Sequence, residues 1–281
     1  MDSSVKTQPS QKRMLLHACC APCSLEPTRI LIEEGFALSI YYANSNIQPK
    51  EEYLHRLYTL KSWATSDTAN RPREVIEGAY DADTWEKTVG KMGEELLVRA
   101  GGDVLAIKDE DRSKRCRMCY RMRFEETAKY AAKNGFDIIC TTLSVSPYQF
   151  TDIIEDELLR AAKIYSVEAR FVDFRENYPE ATKKSKEIGM YRQNFCGCRF
   201  SAAEAAAQRA RRKLEKQKAR DEYLSLHADE IKQQEEERLQ KAAKKMEYAQ
   251  RQAAKHALVK AYKEQMRQSG NPSSDEEVFC G

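Results

Sequence analysis

Seven of the nine cysteines fall into three tight groups: Cys19, Cys20 and Cys23; Cys116 and Cys119; Cys196 and Cys198. As thiolates they are nucleophiles and metal ligands, and as pairs they are two-electron donors. The first group reads His17-Ala-Cys19-Cys20-Ala-Pro-Cys23-Ser24. Adjacent side chains in a strand-to-helix loop diverge, so a set of inert buried thiols is a poor account of it. Cys116-Arg-Met-Cys119 is read at the start of a helix, which puts both sulfurs on one side and lets the helix N-terminus favour thiolate. Alone, a Cys-x-x-Cys serves a metal or a redox dithiol equally well. Two such groups converging on one crevice predict a four-thiolate metal site. Zinc and iron–sulfur clusters both take four thiolates. A structural zinc binds through closely spaced knuckles, whereas 92 residues separate Cys23 from Cys116. That separation favours a working cluster over a structural zinc.

In Tyr191-Arg-Gln-Asn-Phe195-Cys196-Gly197-Cys198 a single glycine separates the thiols. A disulfide closed over so short a segment is strained and readily reduced. The pair therefore reads as a two-electron dithiol, with two further metal ligands as the alternative. Cys140 lies inside an apolar strand and reads as an inert thiol, and Cys280 as an exposed one in a polar tail. His17 reads as a proton donor beside the cysteines, as a group that supports a metal ligand, or as strand-end packing. Lys114–Arg123 (KRCRMCYRMR) holds five basic residues and no acid. That run suits a polyanion, with Tyr120 as a stacking platform, or else a solvated helix face. Tyr148 and Gln149 are placed either to read a flipped base or to pack under their loop.

Short apolar runs alternating with helical patterns must position these groups. Strands are expected at Met14–His17, Ala37–Tyr42, Asp137–Thr141 and Ala169–Val172, with a weaker one at Arg73–Ile76. Helices are expected from about Ser24 to Glu34, and over Lys50–Ser66, Cys119–Asn134 and Thr151–Ile164. This alternation implies βαβ units and a parallel sheet. The expectation is a Rossmann-like α/β domain over residues 13–199, with its chemistry at the carboxyl ends of the strands. The loops after the first and the DIICT strands should open onto one crevice.

Residues 1–12 read as a disordered arm, 200–268 as a charged helical extension and 269–281 as a disordered acidic tail. No signal segment or apolar span is present, which points to a cytoplasmic protein with reduced thiols and no membrane partner. The formal net charge is +3, and residues 1–199 balance at 30 basic and 30 acidic. Any nucleic-acid contact must then be local. The extension reads as a solvated helix or, alternatively, as an arm for tRNA or another partner.

Together the motifs resemble the cobalamin-independent epoxyqueuosine reductases (QueH type). The residues that carry the resemblance are Leu15–Ser24, Cys116–Arg123, Thr141–Gln149 and Tyr191–Cys198. The resemblance implies an adenine-nucleotide-hydrolase-like α/β fold. It also implies an oxidoreductase that converts epoxyqueuosine to queuosine at the wobble position of tRNA anticodons, the last step of queuosine biosynthesis. By motif it assigns a [4Fe-4S] cluster to Cys19, Cys20, Cys116 and Cys119, and a redox-active disulfide to Cys196 and Cys198. The partners implied are a tRNA with a queuosine-type anticodon and an electron donor whose identity stays open. A second iron is a further candidate, with Cys23 or Asp81 as its ligand. The extension departs from the pattern, since members of the family mostly end soon after the Cys-Gly-Cys. A tRNA-thiolating ATPase would need a Ser-Gly-Gly-x-Asp-Ser loop where this chain has His-Ala-Cys-Cys-Ala-Pro-Cys. The competing non-enzymatic reading is a zinc-stabilised RNA-binding module.

Overall fold

A computed structural model describes residues 11–66 and 70–268. The expectations for residues 1–10 and for the tail, with Cys280, lie outside these. Five parallel strands form one sheet in the order β3-β2-β1-β4-β5. They are β1 (Arg13–His17), β2 (Ala37–Tyr42), β3 (Val75–Glu77), β4 (Ile138–Thr141) and β5 (Glu168–Ala169). The order runs outward from β1 to β3, then returns to add β4 and β5 on the other side. The switch point therefore lies between β1 and β4, where Leu16 pairs with Cys140 and His17 with Thr141. Open α/β sheets place their ligands outside the carboxyl ends at such a point.

The central strands are apolar along their length because both faces are covered. Met14 and Leu16 point to a layer formed by α1 (Leu25–Glu33) and α2 (Lys50–Ala64), which supplies Leu31, Leu57, Leu60 and Trp63. Leu15 and Ile139 point the other way, onto Phe124, Ala128 and Ala131 of α5 (Asp109–Lys133) and Ile154 and Leu158 of α6 (Thr151–Tyr165). At about 25 cal/mol per Å² of apolar surface, each fully buried Leu or Ile contributes roughly 2 kcal/mol before entropy is counted. The Rossmann-like α/β expectation holds.

Three local expectations change. Helix α5 begins at Asp109, ten residues before Cys119, because Asp109, Glu110 and Asp111 form an acidic first turn that favours a helix N-terminus. Cys116 and Cys119 thus lie in the helix interior, and the N-terminal dipole does not reach them. Between β3 and α5 the chain forms α3 (Ala82–Trp85), a π-helical turn (Glu86–Gly90) and α4 (Lys91–Arg99), none of which the periodicity announced. A further helix, α7 (Tyr178–Glu187), precedes the Cys-Gly-Cys segment.

Beyond it run α8 (Arg199–Leu226) and α9 (Ala228–Gln268). Contacts divide the chain into a unit ending at Ala210 and a second beginning at Arg211. The first turns of α8 belong to the first unit. Phe200 is buried against Trp85, and Glu204 pairs with buried Arg115 at 2.8 Å.

Candidate active site

The loops leaving β1 and β4 meet through His17, a fully buried residue. Its Nε2 lies 3.3 Å from the Ala43 carbonyl and its Nδ1 lies 3.0 Å from Thr141 Oγ1. A carbonyl only accepts, so Nε2 carries the proton and Nδ1 accepts from the Thr141 hydroxyl. Burial, aided by the Arg123 charge, lowers the imidazole pKa to about 3. His17 is therefore a neutral peg joining β1, β4 and the segment after β2, which answers the choice between proton donor and packing in favour of packing. Asn44 continues this join. Its Nδ2 donates to the Ala18 carbonyl at 2.8 Å, and its Oδ1 accepts from Arg123 Nη2 at 2.5 Å.

Cys19 and Cys20 follow, buried and 3.9 Å apart at sulfur. Hydrogen bonds from Cys19 and Cys23 draw Cys20 well below the usual thiol range, while Cys23 is held above it. On α5, burial raises both Cys116 and Cys119, the latter to about 11. The Trp85 indole donates to Cys119 Sγ at 3.5 Å. Arg123 couples electrostatically to Cys19, Cys119 and Cys196, and Arg115 to Cys116 and Cys198. The three cysteine groups, distant in sequence, therefore share one electrostatic neighbourhood.

Both of these arginines are 2% exposed, yet Arg123 Nε and Nη1 and Arg115 Nη1 have no hydrogen-bond partner. Buried guanidinium donors left this way are costly unless an anionic acceptor completes them. An iron–sulfur cluster is an acceptor of that kind, and Cys19, Cys20, Cys116 and Cys119 are the thiols that could hold one. Among the described residues no three His, Cys, Asp or Glu side chains converge closely enough to hold a single metal ion.

The Cys-Gly-Cys segment is clamped from the opposite side. Arg56 of α2 is buried, donates to the carbonyls of Cys196 (2.8 Å) and Phe195 (3.3 Å), and stacks over the Phe195 ring. The Gln48 backbone N–H donates to Gly197 O at 3.0 Å. Cys196 Sγ reaches Gln149 Oε1 at 3.8 Å, and the same oxygen accepts from Tyr120 OH at 2.7 Å. All four sequence motifs are thus in contact or within electrostatic reach of one another. Cys196 and Cys198 are free thiols, as are the other described cysteines, and burial raises both.

Several expectations resolve differently. The basic run on α5 splits into paired surface cations and two buried arginines. Lys114 pairs with Asp111, Arg117 with Asp156 and Glu157, and Arg121 with Glu157, while Arg115 and Arg123 are buried. Tyr120 is buried too and offers no stacking face. Tyr148 is 77% exposed and does offer one. Asp81 caps α3, accepting from Thr84 N at 2.9 Å and from its hydroxyl at 2.6 Å. Cys140 is buried within β4. Sequence reasoning missed Arg56, Trp85, Asn44 and Asn46. Asn46 is fully buried with neither amide atom partnered, and its position just after β2 was the available signal.

A family model described as "Epoxyqueuosine reductase QueH" matches residues 14–204. Curated relatives carry the same name. One from Streptococcus pyogenes serotype M1 is 32% identical over 194 residues, covering 67% of this chain and 70% of the relative. One from Acinetobacter baylyi is 32% identical over 201 residues, covering 70% and 84%. One from Thermotoga maritima is 32% identical over 200 residues, covering 70% and 94%.

Proposed function

Because the chain belongs to the epoxyqueuosine reductase QueH family of oxidoreductases, we propose that it reduces epoxyqueuosine to queuosine in tRNA anticodons. The observation that carries this reading is the meeting of four separated motifs at the β1/β4 switch point around buried guanidinium donors that lack a partner.

In this reading Cys19, Cys20, Cys116 and Cys119 would hold a [4Fe-4S] cluster, which would supply single-electron transfer. Arg115 and Arg123 offset its negative charge and donate to it. Cys196 and Cys198 supply the reducing equivalents. Their oxidation to a disulfide releases two electrons and two protons. The two C–O bonds of the epoxide break, a carbon–carbon double bond forms, and the oxygen leaves as water. An external thiol or electron donor then returns the disulfide to the dithiol. Arg56 and the Gln48 backbone N–H hold the dithiol loop through its carbonyls, and Gln149 orients Cys196. Exposed Tyr148 offers a ring to the substrate base.

Mass spectrometry of tRNA nucleosides after incubation with the reduced, anaerobically purified protein tests the reading. Conversion of epoxyqueuosine to queuosine is expected, and its absence with a loaded cluster would refute the proposal. Cys116→Ala or Cys119→Ala should lose bound iron and sulfide. Cys196→Ser should retain both and stop multiple turnover. A zinc-stabilised module would instead purify colourless with stoichiometric zinc.

A further inference from the structure

Helix α9 carries a segregated charge pattern. Residues 238–263 hold eight basic side chains and one acidic one, after a stretch at 221–237 with seven acidic and one basic. At 100° per residue, Arg238, Lys241, Lys244, Lys245, Arg251, Lys255, Lys260 and Lys263 all fall within about half the helix circumference. The one acid of the segment, Glu247, lies outside that arc and pairs along the helix with Arg251. Tyr248 and Tyr262 lie inside the arc and are 65% and 64% exposed. Among the described residues, Lys244, Lys245, Lys255, Lys260 and Lys263 are paired with no carboxylate, and the helix buries none of its residues.

We propose that this face of α9 binds RNA, and that it holds the body of the tRNA substrate. The inference rests on the reductase reading above for the identity of that RNA. A solvated helix gains nothing from sorting its charges by face, whereas a cationic row whose unpaired lysines, Lys244 to Lys263, span about 28 Å matches a phosphate backbone. The interleaved tyrosines suit contact with sugars and bases. The opposite face is mainly Ala and Gln with Leu239, Met246 and Leu258, too little bulky apolar surface to insert into a lipid interface. On α5 the exposed cations Lys114, Arg117 and Arg121 are paired with carboxylates, and Arg115 and Arg123 are buried, which leaves α9 as a free cationic surface. The family match ends at residue 204, so this contact is an addition to the shared catalytic unit.

The test compares the full-length protein with a variant carrying Lys244, Lys245, Arg251, Lys255 and Lys263→Gln, and with one carrying Lys→Arg at the four lysines. Affinity for epoxyqueuosine-containing tRNA is measured across salt concentrations. The Gln variant should bind about tenfold or more weakly near 0.1 M salt, with a shallower salt slope, and the Arg variant should match the parent. Unchanged affinity and slope overturns the proposal. So does a loss confined to anionic phosphatidylserine vesicles, or a change of oligomeric state with tRNA affinity intact. Conversion of the free epoxyqueuosine nucleoside and of tRNA is followed in parallel. If no protein converts either substrate while the affinity difference persists, the reductase reading fails and RNA binding by α9 stands.

Discussion

Gly197 has φ near +144°, and a Cβ there would lie 2.8 Å from Ile47 Cγ1 and 3.0 Å from Asn46 Nδ2. Both the backbone region and the contact exclude a side chain. Asn46, unpartnered and buried, is thereby pressed against the segment that joins the two thiols. Gly197→Ala must push the dithiol away from the loop that receives it. A displacement of about 1 Å at reacting atoms costs on the order of a hundredfold in rate. We therefore expect turnover to fall by about that factor while iron and sulfide content stay unchanged, measured side by side on one preparation. Normal turnover in this variant would show that the loop tolerates rearrangement. The glycine was legible as a source of backbone freedom between two cysteines. Its neighbours were not, because Ile47 and Asn46 reach it only after β2 and the sheet bring a distant loop across.

At the scale of elements, α5 and α6 are joined by one buried carboxylate. Glu157 accepts from Arg117, Arg121 and Arg160 at 2.8–3.0 Å. Burial opposes its ionisation, but the hydrogen bonds from these three arginines prevail and bring its pKa down to about 2. A folded pKa below the ordinary glutamate value of about 4.3 adds stability that is fully present above that value and lost as pH falls towards 2. Glu157→Gln should therefore be less stable than the parent at pH 6. That gap should narrow between about pH 4 and pH 2, as read from urea midpoints at each pH, and a gap independent of pH would contradict the carboxylate's role. Strands β1, β2 and β4 were readable as short continuous apolar runs, and helices α1 and α6 by their apolar periods. The start of α5 was not, since a charged run reads alike whether solvated or paired across a helix interface. That same ambiguity made the basic run resemble an RNA-facing patch. Its arginines instead serve α6 and the thiol site.

For the whole molecule, the boundary of the catalytic unit falls inside a helix. The change in composition after Arg199 suggested a cut near residue 200, yet Phe200 and Glu204 cover Trp85 and Arg115. A chain ending at Ala210 should stay folded and cluster-bearing, whereas one ending at Arg199 should lose about 3–5 kcal/mol from the missing Phe200 alone. Chemical denaturation of the two truncations measures the difference, and equal stability would show that α8 contributes nothing to the first unit. Composition could not locate this boundary, because a helix that begins in a core and continues into solvent changes its environment, not its residue preferences.

The crossover that places β1 beside β4 also has a consequence for biogenesis. On the proposed ligand set, Cys19 and Cys20 leave the ribosome 97 and 96 residues before Cys116, and at ~5–20 residues per second that is an interval of roughly 5–20 s. Throughout it the first thiols have neither their metal nor the strand that shelters them. Oxidants present during translation, rather than those met by the finished protein, would then set how much of each newly made batch can ever be loaded.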